Sequence, residues 1–338
     1  MIRAELSPTA PEQAVAETLL EVSGLVVDLP GRSGAVRVVD GVSFDIPAAT
    51  TVGLIGESGS GKTMTANALI GLLPDGASLD GSLRWCGEEL LKATTARRRQ
   101  LRGHEIAMIF QDPLAALNPT QTIGKQVGEI LRRTGSSRSA VRERVVELLD
   151  RAGIPEPASK LDSFPHEFSG GMRQRAMIAM ALAGSPSLLL ADEPTTALDV
   201  TVQARILRLL RSIQEDAGLA MLLVSHDLRV MAHVAHQVVV MYAGRVAERG
   251  PTSAVLRTPA HPYTRALVDS VPAVRTKTTL AHPLPGTPVT PANRPAGCAF
   301  HPRCPLAQDR CRTEQPELRA VAPDRWTACH FAEEVLDQ

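Results

Sequence analysis

The glycine-rich segment at residues 56–63, Gly-Glu-Ser-Gly-Ser-Gly-Lys-Thr, has the residue types and spacing of a phosphate-binding loop. It follows an apolar run at 51–55, typical of a buried strand, and precedes a stretch from Met64 to Leu73 with helical spacing. Glycines let backbone N–H groups turn inward around a phosphate, and a helix N-terminus adds partial positive charge. Strand, loop and helix in this order predict a P-loop and therefore a nucleotide site.

Within this loop two side chains have predicted roles of their own. Lys62 is expected to reach the β- and γ-phosphates of the nucleotide, and the Thr63 hydroxyl to bind Mg²⁺. The predicted nucleotide-binding residues are Gly56, Ser58, Gly59, Ser60, Gly61, Lys62 and Thr63.

Three further apolar runs are each followed closely by polar residues that could do chemistry. Residues 187–191 are followed by Asp192, suited to support Mg²⁺, and Glu193, suited to polarise an attacking water as general base. Gln111 follows the run at 105–110 and is expected to sense Mg²⁺ and the γ-phosphate, so the predicted Mg²⁺ residues are Thr63, Gln111 and Asp192. His226 follows the run at 219–224 and is expected to hold the γ-phosphate or orient the water. The alternative for the acidic pair is a capping role, and for Gln111 and His226 ordinary polar surface.

The segments between these runs predict the elements that position them. Residues 19–29 and 36–46 alternate apolar and polar residues, which predicts antiparallel strands, and 82–85 predicts an edge strand. Helical spacing at 123–153, from about 170 to 183, and at 200–215 alternates with the apolar runs. Alternating strands and helices predict an α/β fold with a largely parallel sheet and its chemistry at the strands' carboxyl ends.

Composition excludes several classes of function. The 338 residues are 44% apolar with a net charge of zero, which argues against a dedicated nucleic-acid binder. No apolar run approaches the ~18 residues that a membrane span needs. Residues 1–18 lack the apolar core of a signal peptide and are expected to form a loose tail. We therefore expect an intracellular protein whose membrane contact, if any, is peripheral.

The segment after residue 250 differs in composition from the rest of the chain. Residues 251–338 hold 13 of the 25 prolines and four of the five cysteines, Cys298, Cys304, Cys311 and Cys329, which predicts a domain boundary near 250. Disulfides are disfavoured because intracellular thiols stay reduced. The C-x5-C-x6-C-x17-C spacing then favours a metal site over four unconnected thiols. Zinc on four cysteines, or on three with His301 or His330, is one interpretation, but the paired C-x2–4-C pattern of zinc sites is absent. An iron–sulfur cluster accepts four widely spaced thiolates.

The stretch Phe168-Ser-Gly-Gly-Met-Arg-Gln-Arg175 resembles the signature motif of ATP-binding-cassette (ABC) ATPases. The resemblance implies that Ser169, Gly170, Gly171 and Gln174 face the ATP held by a second cassette subunit, the two meeting head to tail. Residues 197–199, Ala-Leu-Asp, match the family's D-loop at that junction. Leu29 stands where the family usually has an aromatic residue that stacks on adenine.

The resemblance is closer to the ATP-binding subunits of peptide/nickel ABC importers, and to their "D" type rather than the related "F" type. The likeness to these importers rests on the segments Met-Ile-Phe-Gln-Asp-Pro at 108–113, Asn-Pro at 118–119, 193–203 and His-Pro-Tyr-Thr-Arg at 261–265. The likeness to the "D" type rests on the wording of the P-loop and on Met-Ile-Ala-Met-Ala at 177–181. It continues through the tail, where this family carries a [4Fe-4S] cluster, which assigns the cluster here to Cys298, Cys304, Cys311 and Cys329.

The resemblance implies a P-loop ABC fold at 19–250 with a RecA-like parallel core sheet, an antiparallel β-subdomain and a helical subdomain at about 112–184. A small proline-rich cysteine domain is expected at 251–338. The implied function is an ATPase, using ATP and Mg²⁺, that powers import of peptides or a related solute from the cytoplasmic face of the membrane. The implied partners are a second cassette of the "F" type, two membrane permease subunits and, indirectly, an extracytoplasmic solute-binding protein. A soluble ABC clamp in DNA repair or translation is the alternative; a non-catalytic regulatory subunit is disfavoured by intact Lys62, Asp192, Glu193 and His226.

Overall fold

The structure, a computed structural model, describes residues 17–31, 34–133, 137–196, 198–271 and 286–337. Nearly all of the predicted N-terminal tail and Ala197 of the predicted D-loop lie outside these residues. None of the helices described within these ranges has the length and apolar character to cross a membrane.

The strands alternate with helices over the first 250 residues, as predicted. In chain order the strands are β1 (Thr18–Gly31), β2 (Gly34–Pro47), β3 (Thr51–Ile55), β4 (Ser78–Trp85), β5 (Glu88–Glu89), β6 (Ile106–Ile109), β7 (Leu188–Asp192), β8 (Ala220–Ser225), β9 (Gln237–Tyr242), β10 (Arg245–Pro251), β11 (Arg319–Ala322) and β12 (Arg325–Thr327).

The helices are α1 (Lys62–Ile70), α2 (Thr95–Leu101), α3 (Pro113–Ala116), α4 (Ile123–Val127), α5 (Glu129–Arg133), α6 (Arg138–Arg151), α7 (Pro157–Lys160), α8 (Gly170–Leu182), α9 (Val200–Ala217), α10 (Leu228–Val234), α11 (Thr252–Arg257), α12 (Pro262–Asp269), α13 (Asp309–Thr313) and α14 (Ala332–Leu336). Short 3-10 helices occupy Pro165–Glu167, Pro291–Asn293 and His301–Arg303.

The structure corrects three of the predicted helices and strands. Helix α1 stops before the predicted Leu73 because Gly71 adopts a left-handed conformation (φ 68°) and caps it by donating to the Ala68 carbonyl. The stretch 123–153 is not continuous but contains α4, α5 and α6. Strand β4 is longer than predicted and is not the edge strand, since β5 pairs beyond it.

The described strands form two sheets. The first is antiparallel, in the order β2-β1-β4-β5, and the second runs β11-β12-β10-β9-β3-β8-β7-β6. From β9 to β6 every neighbouring pair of the second sheet is parallel, and β10, β12 and β11 extend it in antiparallel fashion.

The parallel strands are buried on both faces, which is why they are almost wholly apolar. Strand β7 shows this directly, because Leu188 and Leu190 pack into one core while Leu189 and Ala191 pack into the other. The first core joins this sheet to α1 and to the antiparallel sheet. The second joins it to α4, α6, α8 and α9, so helices cover the face opposite the antiparallel sheet.

The segment after residue 250 continues the large sheet through β12 and β11, whereas a small segment with its own thin core was expected. Strand β10 ends at Pro251, next to the predicted domain boundary, and pairs with β12 at Glu248–Thr327 and Arg249–Trp326. The division of the chain at 250 stays a prediction, but the described part of the segment packs on the large sheet.

A buried ion pair fastens β12 to β10. The Glu248 carboxylate is fully buried (0% exposed) and accepts hydrogen bonds from Arg325 Nη2 (2.8 Å) and from the backbone N–H groups of Ala260 (2.9 Å) and His261 (3.0 Å). Arg325 also donates to the Thr258 carbonyl. Both oxygens of this carboxylate are therefore paired, and removing Arg325 would leave a buried charge with part of its compensation lost.

We expect Arg325→Ala to lower the free energy of unfolding by roughly 3 kcal/mol, because breaking one side of a buried pair leaves the other charge desolvated. Urea unfolding followed by circular dichroism measures this. The control is Arg319→Ala, which removes an exposed pair with Glu333 in the same segment and should change stability little. Equal, small effects of the two substitutions would show that the Glu248 pair does not fasten β12.

Candidate functional site

The predicted catalytic side chains meet at one edge of the large sheet. The adjacent strands β3, β8, β7 and β6 run in parallel, and the P-loop, His226, Glu193 and Gln111 respectively follow their carboxyl ends. Asp192 is the last residue of β7. Parallel pairing brings these four chain segments side by side although they are far apart in sequence.

Lys62 is held inside the P-loop. Its ammonium group donates to the carbonyl oxygens of Gly56 (2.8 Å) and Glu57 (2.9 Å), and the residue is only 4% exposed. Burial lowers the pKa of Lys62, while the neighbouring carboxylates of Glu193, Asp192 and Glu57 act to raise it. The two bonds and the burial fix the Lys62 ammonium group inside the loop. Ser58 and Gly59 are exposed at the tip of the loop.

The loop needs glycine at two of its positions. Gly61 has φ 100°, and a Cβ there would lie 2.8 Å from the Val38 carbonyl oxygen. A Cβ at Gly56 would lie closer still, 2.3 Å from the Met241 carbonyl oxygen. Both contacts are with backbone atoms that cannot swing away, so the glycines are required by the close approach of neighbouring chain segments.

Thr63 and Asp192 form an oxygen pair beside the loop. The Thr63 hydroxyl lies 3.3 Å from Asp192 Oδ1 and donates to it. Asp192 is 3% exposed, and this burial raises its pKa, an effect that the Thr63 hydrogen bond partly opposes. Hydroxyl and carboxylate oxygens are the donors that Mg²⁺ prefers, so this pair fits the predicted ion in its chemistry.

The remaining polar side chains of the site contact the Glu193 carboxylate. Its Oε2 accepts hydrogen bonds from Gln111 Nε2 (3.2 Å) and Thr196 Oγ1 (2.8 Å), and its Oε1 lies 3.3 Å from His226 Nδ1. Glu193 itself has a left-handed backbone (φ 45°), a conformation that costs a non-glycine residue about 1 kcal/mol or more. Its N–H donates to the Val224 carbonyl of the next strand, which holds the turn in place.

The signature residues lie at the start of α8. Ser169 caps the helix by accepting from the Met172 N–H (3.3 Å), and Ser169 and Gly170 are exposed. Gly171 packs closely on α9, since a Cβ there would lie 2.9 Å from Val202. Gln174 is 2% exposed, and its Nε2 has no hydrogen-bond partner in the described part of the chain. The structure therefore does not place the Gln174 side chain on the exposed surface with Ser169 and Gly170.

The four tail cysteines line one small enclosed cavity with His301 and His330. Burial raises the pKa of Cys304 to about 11 and that of Cys329 to about 12. However, among residues 17–31, 34–133, 137–196, 198–271 and 286–337 no group of three or more His, Cys, Asp or Glu side chains is placed to hold a metal ion. The structure thus does not support the predicted iron–sulfur site, although it does bring the four thiols around one space.

Comparison with known families divides the chain into two matching regions. Residues 39–196 match the ABC transporter family model, and residues 247–311 match the model of the oligopeptide/dipeptide transporter C-terminal region. The dipeptide transport ATP-binding protein DppD of Escherichia coli K12 is 45% identical over 93% of this chain and 96% of its own length. The chain belongs to the ABC transporter ATP-binding family.

Other known proteins agree with this assignment of an ABC ATPase. The oligopeptide transport ATP-binding protein OppD of Salmonella typhimurium is 43% identical over 97% of this chain and 98% of its own length. The ATP-binding cassette MJ0796, solved as a dimer in a post-hydrolysis state with ADP and phosphate, superimposes with a TM-score of 0.63 at 25% identity. That superposition covers 69% of this chain and 99% of MJ0796. The predicted ABC ATPase family and fold are confirmed, and the soluble-clamp alternative is not favoured.

Three polar contacts of this ABC ATPase have no counterpart in the sequence predictions. Thr196 donates to Glu193, Tyr263 accepts the Glu57 N–H (2.9 Å), and Arg303 pairs with the Glu57 carboxylate. Thr196 follows Glu193 by three residues, so its position was a usable signal. Tyr263 and Arg303 come from distant segments that no local pattern connects to the P-loop.

Proposed function

We propose that this ABC ATPase hydrolyses ATP at the sheet edge, with Glu193 as the general base. Glu193 takes a proton from a water as the water oxygen attacks the γ-phosphorus, and the bond to the ADP oxygen breaks. Gln111 and His226 orient this water and the γ-phosphate, and Lys62 with the loop N–H groups binds the phosphates. The observation that carries this proposal is the convergence of Gln111, Thr196 and His226 on the one Glu193 carboxylate.

Thr63, Gln111 and Asp192 would hold the Mg²⁺ that accompanies ATP. When bound, the ion offsets the negative charge of the phosphates. Support comes from the Thr63–Asp192 contact and from the oxygen donors of all three side chains.

We expect Glu193→Gln to keep ATP binding and to lose hydrolysis by about 10²–10⁴-fold, because the amide cannot take the proton while the phosphate contacts are untouched. Phosphate release and binding of a fluorescent ATP analogue measure the two quantities. Glu215→Gln, which changes an exposed carboxylate paired with Arg211, is the matched control. Near-normal turnover by Glu193→Gln would remove Glu193 from the role of base.

The hydrolysis is proposed to power import of peptides or a related solute. The relatives DppD and OppD are named as dipeptide and oligopeptide transport proteins, and the 247–311 region matches a model of the same transporters. On this basis the chain would sit peripherally at the cytoplasmic face of the membrane, against two permease subunits fed by an extracytoplasmic solute-binding protein. The segment from Gln111 to about Gly153 would carry motion to them, and Leu114 in α3 offers an apolar contact there because it is 58% exposed.

A second cassette subunit, of the related "F" type, is proposed to face Ser169, Gly170 and Gly171. The exposure of Ser169 and Gly170 leaves them accessible to a partner, and the dimeric state of MJ0796 supports a pair of cassettes, which we propose to meet head to tail. In that pair the helix N-terminus of α8 would offer its N–H groups and partial positive charge to the partner's ATP. Gln174 is buried within its own chain, so its role would be to support α8 from inside.

We expect Gly170→Asp to act on the partner's site, because it places a negative charge where the partner's phosphates would lie. The isolated variant should bind ATP within about twofold of wild type, whereas ATP hydrolysis by the assembled transporter should fall at least about tenfold. A Cβ at Gly170 meets only the end of the Leu198 side chain at 3.7 Å, so the fold tolerates the change. Loss of ATP binding by the isolated variant would contradict the head-to-tail arrangement.

We propose further that Cys298, Cys304, Cys311 and Cys329 bind a [4Fe-4S] cluster of structural or docking function. Support comes from the four thiols that line one cavity. The raised pKa values of the thiols mean that binding would release protons, since thiolates are the ligands. Ligands of a four-iron cluster also stand farther apart than the ligands of a single ion.

Protein purified without oxygen should be brown and carry about four irons per chain. Cys304→Ser should remove the colour, whereas Cys86→Ser, at an exposed cysteine of the ATPase region, should keep it. Colourless wild-type protein that holds one zinc would contradict the iron–sulfur assignment and support the zinc alternative.

A further inference from the structure

Glu57, a residue of the P-loop with no assigned role, makes hydrogen bonds through its carbonyl, its N–H and its carboxylate. Its carbonyl oxygen accepts from Lys62, its N–H donates to the Tyr263 hydroxyl (2.9 Å), and its carboxylate accepts two hydrogen bonds from Arg303. The two bonds run from Arg303 Nη1 to Oε2 (2.6 Å) and from Nη2 to Oε1 (3.0 Å). A two-pronged contact of this kind fixes both the position and the rotation of the carboxylate.

Arg303 reaches the loop from the cysteine-bearing tail. It ends the 3-10 helix His301–Arg303, directly before Cys304, and its side chain is only 2% exposed. Its Nη1 also donates to the Tyr242 hydroxyl (3.3 Å), and its guanidinium lies 5.9 Å from the ring centres of Tyr242 and Phe300. Its burial and its contacts with Tyr242 and Phe300 therefore fix the Arg303 side chain in place.

The aromatic residues around Arg303 join the tail to the ATPase sheet. Both tyrosines of the chain and Phe300 form one aromatic group, with ring centres 4.6 Å apart for Tyr242–Tyr263, 5.2 Å for Tyr242–Phe300 and 5.4 Å for Tyr263–Phe300. Tyr242 ends β9, the strand beside β3, so the group lies against the strand that carries the P-loop. Aromatic pairs at these distances add to the stability gained by burial.

The charge of Glu57 gives the contact a consequence for nucleotide binding. A carboxylate within a loop that binds a polyanion repels the phosphates, and it does so strongly where solvent is partly excluded. Glu57 is 22% exposed at its side chain, so water screens it only in part. The Arg303 guanidinium cancels this charge at hydrogen-bonding distance while also fixing the start of the loop.

We propose that Arg303 is a positioning residue for ATP binding, through which the C-terminal tail neutralises Glu57 and holds the P-loop in its phosphate-binding conformation. The inference rests on the proposed function only in that the loop binds ATP. It makes the state of the tail a determinant of nucleotide affinity, whereas turnover of bound ATP depends on Gln111, Glu193 and His226 at the ends of other strands.

The test measures ATP affinity and turnover for five full-length variants: Arg303→Ala, Glu57→Gln, the double variant Arg303→Ala/Glu57→Gln, Arg303→Lys and the double variant Arg303→Lys/Glu57→Gln. Arg303→Ala should weaken ATP binding on the order of tenfold and leave kcat nearly unchanged, because it exposes the phosphates to an uncompensated carboxylate. In the Glu57→Gln background the same substitution should change affinity less than about twofold, since the charge it uncovers is gone. Arg303→Lys keeps a positive charge without the two-pronged contact and should weaken binding about threefold.

The control is Arg319→Ala, which removes an exposed arginine of the same tail and should leave affinity and kcat unchanged. Unchanged affinity in Arg303→Ala, or an equal loss of affinity in the wild-type and Glu57→Gln backgrounds, would overturn the proposal. If Arg303→Ala does not fold, Arg303→Lys in the two backgrounds decides by the same comparison. Failure of the wild-type chain to bind ATP would instead refute the proposed function, so the two failures are distinguishable.

Discussion

The parallel pairing of β3, β8, β7 and β6 is the constraint on which the rest of the structure depends. It sets four carboxyl ends side by side, and each end contributes one part of the proposed ATP site: the P-loop, His226, the Asp192–Glu193 pair and Gln111. Because these strands are buried on both faces, each apolar residue along them contributes to one of the two cores. Stability and catalytic geometry are thus coupled, since a change of strand register would separate Glu193 from Gln111 and His226.

The C-terminal tail is bound to this sheet by polar contacts as well as by strand pairing. Arg325 compensates the buried Glu248 carboxylate, and Arg303 compensates Glu57 in the P-loop. A proline-rich segment forms little regular structure of its own, so fixed contacts with the ATPase sheet take the place of an independent core. The Arg303–Glu57 contact joins the chain segment next to Cys304 to the P-loop, which connects two features that are separate in the sequence.

The features that the sequence predicted are those encoded over short distances. Lys62 and Thr63 belong to a contiguous motif, and Asp192, Glu193 and His226 closely follow apolar runs, so strand–loop order was enough to place them. The contacts of Glu57 with Tyr263 and Arg303 span 206 and 246 residues, and no local spacing records them. Strands β11 and β12 were missed because, at four and three residues, they are too short to show a periodic pattern.

ATP-dependent uptake of a labelled dipeptide into vesicles, with this chain assembled on its native membrane subunits, tests the account most directly. The account predicts uptake that requires ATP on the face carrying this chain and that stops when a non-hydrolysable ATP analogue replaces ATP. Uptake at the same rate with the analogue, or in vesicles that lack this chain, would contradict the assignment of Glu193 and its neighbours as the site that powers transport.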